Sequence, residues 1–126
     1  MRKAGSLAGK RILMAEDNAL IRDALCDMLN AHGAQAIPAG DGAQAVRMFA
    51  ALDGKPFDAV LMDVCMPKMD GYAAARAIRR MDRRILIFAH TDAASAYSVG
   101  EARTNGMDGC IRKLAGVGEL ARLMRI

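Results

Sequence analysis

AVLMDVCMPKMDGYAAARAIRRM, residues 59–81, is the stretch on which the reading of this chain turns. Ala59 to Met62 is an apolar run with the length of a buried strand, entered through Pro56 and cut off by Asp63. A proline-containing loop follows, and Tyr72 to Met81 then reads as a helix, with Asp70 placed to cap it. The unit is therefore a strand, a carboxylate at the strand's end, a loop and a helix.

The same unit recurs in both directions. Upstream, Arg11 to Ala15 is a short apolar run broken by Glu16-Asp17-Asn18, with Asn18 as the N-cap of the next helix. Leu20, Ile21, Ala24, Leu25, Met28 and Leu29 mark the inward face of that helix, and Gly33 after His32 is its stop signal. Ala34 to Ile37 is a weaker strand closed by Pro38. Gly40-Asp41-Gly42 then turns the chain into a helix with Ala45, Val46, Phe49 and Ala50 inward. Downstream, Ile85 to Ala89 is a clear strand, and Asp92 to Thr104 has helical composition weakened by Gly100. Residues 108–112 form a last strand, and Val117, Leu120, Ala121 and Met124 mark a fifth helix. Alternation of this kind predicts an α/β fold, a single doubly wound (βα)5 domain with helices on both faces of a parallel sheet. Right-handed crossovers make 2-1-3-4-5 the economical strand order.

The bulk properties agree with one such domain. The chain has 126 residues, 53% apolar and 25% charged, enough to bury one core but not two. No apolar run approaches the ~20 residues that cross a bilayer. The basic N-terminus is followed by only four apolar residues, too few for a signal peptide, so a cytoplasmic location and no membrane association are expected. Cys26, Cys65 and Cys110 are widely spaced, without a CxxC, and read as semi-buried thiols. The net charge of +4 has one concentration, Arg76, Arg79, Arg80, Arg83 and Arg84. With aromatics at 4% and no DNA- or RNA-binding motif beside it, this cluster reads as a solvated helix end, or else a docking face, with no direct nucleic-acid binding.

What ends each strand carries the functional argument. Strand 1 runs into Glu16-Asp17, strand 3 into Asp63, strand 4 into His90-Thr91 and strand 5 into Lys113. In a parallel sheet these positions share the carboxyl edge, where open α/β sheets bind ligands around the reversal in strand order. Three gathered carboxylates need a cation, and hard oxygen ligands favour Mg²⁺. A carboxylate whose charge is neutralised by metal and lysine is a competent nucleophile toward phosphorus, and phosphoryl transfer asks for little beyond positioning and charge stabilisation.

The pieces RILMAEDN, VLMDVCMPKMDGYAAA, FAHTDA and GMDGCIRK, each at a strand end, resemble the receiver domains of two-component response regulators, over residues 10–126 with 1–9 as a flexible lead-in. The spacings, 28 residues from Asp63 to Thr91 and 22 from Thr91 to Lys113, are ordinary for that family. The resemblance implies a phosphoryl-accepting switch rather than an enzyme. Asp63 is then the phosphoacceptor, and Glu16, Asp17, Asp63 and the backbone carbonyl of Cys65 hold Mg²⁺. Thr91 and Lys113 bind the transferred group, and Pro67 and Gly71 shape the loop behind Asp63. Implied partners are a histidine kinase or phosphotransfer protein and a downstream protein target; a stand-alone shuttle, a relay intermediate and a piece of a hybrid kinase all fit. His32 and His90 are read as structural.

Two positions depart from the family's pattern. Cys110 stands where an aromatic is common, three residues before the lysine, and Leu114 where a proline usually follows it. Both bear on how phosphorylation is coupled to the face built from strands 4 and 5. They favour the alternative of a pseudo-receiver, an interaction module working without phosphorylation, whereas the intact acids and lysine oppose it. A flavodoxin-like cofactor binder would need a phosphate loop where Glu-Asp-Asn stands, and a metal-dependent phosphatase would need further catalytic groups.

Overall fold

The computed structural model describes residues 7–51, 56–64, 70–91 and 96–112, without the side chains of 96–98. Five strands, β1 (Arg11–Ala15), β2 (Gln35–Ala39), β3 (Ala59–Asp63), β4 (Leu86–Thr91) and β5 (Gly109–Arg112), form one sheet of order β2-β1-β3-β4-β5. Every pairing is parallel. Between them run α1 (Ala19–Ala31), α2 (Gly42–Ala50), α3 (Gly71–Met81) and α4 (Ala96–Thr104). The expected fifth helix lies outside the described residues, as do Cys65, Pro67, Lys113 and Leu114.

Alternation along the strands divides the core into two layers. Leu13, Ala15, Val60, Met62, Ile87 and Ala89 face α2 and α3, meeting Ala45 and Phe49 of the first and Ala74, Ala75 and Ile78 of the second. Ile12, Met14, Ala59, Leu61, Phe88 and Ile111 point the other way, against Leu25 and Leu29 of α1. Each fully buried large side chain contributes roughly 1.5–3 kcal/mol, so the central strands β1, β3 and β4, apolar on both faces, anchor the domain. Helices thus cover both faces, as the alternation predicts.

Helix starts follow local chemistry. Asn18, Asp41 and Asp70 each accept a hydrogen bond from the backbone N–H three residues on, at 3.1, 2.7 and 2.8 Å. α1 ends in a Schellman turn: Gly33, at φ 95°, lets the N–H of Ala34 reach Leu29 O at 3.1 Å. Within the expected lead-in, residues 7–9 form a turn against this helix end, where Leu7 is buried and its N–H donates to His32 O at 2.9 Å.

Four details differ from the sequence expectation. Leu20 is 82% exposed and Ala24 is exposed, because the buried stripe of α1 falls on 21, 25, 28 and 29, one residue (about 100°) away. Ala50 likewise faces solvent. Pro38 does not close β2 but lies inside it. β2 is an edge strand whose odd positions face β1: Gln35 donates to Lys10 O, and Ala39 O accepts from Glu16. Even positions point away, Ala36 N–H to the Asn30 side chain, so a residue without an N–H at 38 forfeits no ladder bond. Finally, the arginine cluster is not uniformly solvated. Arg76, Arg80, Arg83 and Arg84 are exposed, but Arg79 turns inward and donates to the carbonyls of Gly106 (2.9 Å) and Ile85 (2.6 Å) and to Asp108 (3.0 Å).

Candidate functional site

The carboxyl edge of the sheet is built by the turns that leave β1, β3 and β4. β1 ends at Ala15, and the next residue, Glu16, is fully buried while Asp17 is exposed. Asp63 is the last residue of β3 and is 1% exposed. Thr91 closes β4, half-buried, one step beyond His90, which is in register with Asp63. Lys113 and Cys65, the remaining expected members, lie outside the described residues.

Glu16, Asp17 and Asp63 each offer a carboxylate oxygen, and these oxygens lie within 4.8 Å of one another. Two of the three side chains are buried, which is costly for anions without a compensating cation. Oxygens bound to one Mg²⁺ at about 2.1 Å stand roughly 3–4 Å apart, so a modest contraction suffices, and an all-oxygen donor set is the one this ion takes. The residues present therefore fit a magnesium ion.

The turn that carries Glu16 and Asp17 is held on several sides. Glu16 N–H donates to Ala39 O of β2 at 3.1 Å, and Glu16 Oε2 accepts from Asn18 N–H at 3.0 Å. From α1, Arg22 Nη1 donates to Glu16 O at 2.9 Å. From β4, His90 Nε2 lies 3.1 Å from Ala15 O. On the far side of Asp63, Gly71 opens α3 so close to β3 that a Cβ there would fall 2.1 Å from Asp63 O. Glycine at 71 is thus a condition of the site's geometry, which agrees with the loop-shaping role read from sequence.

Reading the sequence alone missed Arg22, and placed His90 at the carboxyl edge without giving it a task there. A signal existed for each: Arg22 is a long donor one turn after the capping Asn18, and His90 is a lone imidazole in an otherwise apolar strand. His32 Nδ1 donates to Met28 O at 3.0 Å where α1 ends. Burial raises the thiol pKa of Cys110; at Cys26 burial raises it first, Asp23 and Asp27 add to the rise, and Arg22 opposes it.

Comparison with known proteins identifies the class. The family model of the response regulator receiver domain matches residues 12–125, and the chain belongs to that family. It is 39% identical over 118 residues to two-component system protein A of Emericella nidulans, a match covering 91% of this chain and 17% of that protein. Among solved structures it superposes on the receiver domain of sensor histidine kinase PA1611 from Pseudomonas aeruginosa with a TM-score of 0.80 and 34% identity, covering 94% of this chain and 96% of that one. That structure has a magnesium ion coordinated in its active-site cleft. The receiver domain of histidine kinase CKI1 from Arabidopsis thaliana, complexed with Mg²⁺ and BeF3⁻, gives 0.79 and 29% over 94% and 89%. The chain spans 10–17% of the length of the curated relatives it matches. It is thus a receiver domain of the two-component signalling type, and no helix among the described residues is long and apolar enough to cross a membrane.

Proposed function

We propose that this domain is a phosphoryl-accepting switch in which Asp63 is the acceptor. The observation that carries the reading is the set of three carboxylates within 4.8 Å at the carboxyl ends of β1 and β3, with Asp63 buried as the last residue of β3. A carboxylate oxygen of Asp63 attacks the phosphorus of a donor phosphohistidine in line. The O–P bond forms as the N–P bond breaks, and the imidazole leaves with the electron pair and takes up a proton. Glu16, Asp17, Asp63 and the Cys65 carbonyl would hold Mg²⁺, which would screen the charge that otherwise keeps two anions apart.

Thr91, at the end of β4, accepts the role of donor to a phosphoryl oxygen, and Lys113, just past β5, pairs with another. Occupancy of that position then biases two packings of the neighbouring loops, which a protein partner reads. The donor is a histidine kinase or phosphotransfer protein and the location cytoplasmic. The kinship to receiver domains of histidine kinases supports the first.

The test is intact mass after incubation with Mg²⁺ and acetyl phosphate. A gain of about 80 Da, one phosphoryl group, is expected in wild type and absent in Asp63→Asn. Equal adducts in both proteins would remove Asp63 from the mechanism. No adduct, together with no beryllofluoride-induced shift of the Thr91 amide, would favour the pseudo-receiver.

A further inference from the structure

Among the described residues three polar side chains are buried, Glu16 at 0%, Asp63 at 1% and His90 at 2% exposure. The proposed chemistry uses the first two and leaves the imidazole without a task. Burying an imidazole in place of an aliphatic side chain is costly, so its position calls for a reason.

Its geometry supplies one. His90 is in register with Asp63 on the adjacent parallel strand, so the two side chains leave the sheet on the same face. The bond from His90 Nε2 ends on Ala15 O, 75 residues away in sequence, on β1. A carbonyl oxygen only accepts, so Nε2 carries the hydrogen. β1 and β4 are not neighbours; β3 lies between them. The imidazole therefore passes over the end of β3, at the level of Asp63, to reach the last residue of the strand that delivers Glu16 and Asp17. Its own strand continues directly into Thr91.

We infer that His90 is a positioning residue: its Nε2–H bond to Ala15 O ties the end of β4 to the end of β1 and sets the Glu16–Asp17 pair against Asp63. Further anchors of this turn come from β2, through Ala39 O, and from α1, through Arg22. His90 supplies the restraint from the β4 side, the direction in which Asp63 and Thr91 lie. The inference rests on the magnesium-binding reading of the acids.

Magnesium affinity of the full chain, measured by calorimetry alongside melting without metal, tests it. His90→Leu keeps the bulk and removes the donor. His90→Gln keeps an N–H donor at similar reach. Loss of groups that orient metal ligands typically costs ten- to a hundredfold in affinity, and this tether acts one bond further out, so His90→Leu should bind Mg²⁺ about fivefold to tenfold more weakly. His90→Gln should stay within about twofold of wild type. Folded His90→Leu with wild-type affinity would overturn the inference, as would folded His90→Gln as weak as His90→Leu.

In wild type the His90 Nε2–H resonance should be protected from exchange and should shift on saturation with Mg²⁺. Absence of that shift overturns the inference even if His90→Leu does not fold. No Mg²⁺ binding by wild type is a different failure, that of the metal reading itself.

Discussion

Replacing Gly71 with alanine places a methyl carbon 2.1 Å from Asp63 O, and 2.8 Å from both Asp63 C and Val64 Cα. Real Cβ atoms essentially never come within 3.0 Å of such neighbours, so the two chains must part by about 1 Å. Neither side yields easily. α3 is held at its start by the Asp70 cap and along its length by the fully buried Ala74, Ala75 and Ile78. The end of β3 is hydrogen-bonded into the middle of the sheet between β1 and β4. Overpacking of this kind costs about 1–3 kcal/mol. For a domain of this length each kcal/mol moves the melting temperature by roughly 3–6 °C, so a fall of about 3–18 °C is expected.

A 1 Å displacement of a reacting group can cost about a hundredfold in rate, so phosphoryl uptake from acetyl phosphate should fall by that order. Gly100→Ala is the internal control. Nothing lies within 4 Å of its added methyl, and in the exposed interior of α4 the change should stabilise by about 0.5–1 kcal/mol. Calorimetric melting and the rate of mass gain read both variants. Gly71→Ala melting within about 2 °C of wild type, with uptake within threefold, would refute the steric argument.

Two further outcomes follow from the packing. Arg79→Ala removes the donors to Gly106 O, Ile85 O and Asp108; the ion pair is only partly shielded, at 22% and 42% exposure, so the carbonyl bonds dominate. A loss of about 2 kcal/mol, or roughly 6–12 °C in thermal melting, is expected; Arg79→Lys should recover little of it, since a single ammonium cannot span the Ile85 and Gly106 carbonyls together, and full recovery would show that charge alone matters. Cys26 and Cys110 have thiol pKa values raised by burial, so less thiolate is present at neutral pH than in the unfolded chain. In a Cys65→Ser background, iodoacetamide should label the folded protein more slowly than the urea-unfolded one, with the folded rate still climbing at a pH where the unfolded rate has levelled; equal rates at pH 7–8 would contradict this.

The alternation of elements, and the acids at the ends of strands 1 and 3, were legible in the sequence because they are local. An apolar run of four or five residues, a capping Asn18 or Asp70, and Gly33 after α1 each act within a turn of chain, so their spacing states their role. The strand order followed from crossover handedness, a rule that needs no contact information. Tertiary structure decided what depends on segments remote in sequence: which side of α1 meets the sheet, leaving Leu20 in solvent, and that Pro38 sits on the outward edge of β2. It also decided that Gly71 presses on Asp63, that Arg79 collects the carbonyls of Ile85, at the entry to β4, and of Gly106, and that His90 reaches Ala15 across an intervening strand. The sequence by itself determined that Glu16, Asp17 and Asp63 arrive at the carboxyl edge, since they sit at the ends of their own strands; only the packed sheet determined how they are held there, since the holding bonds join segments remote in sequence.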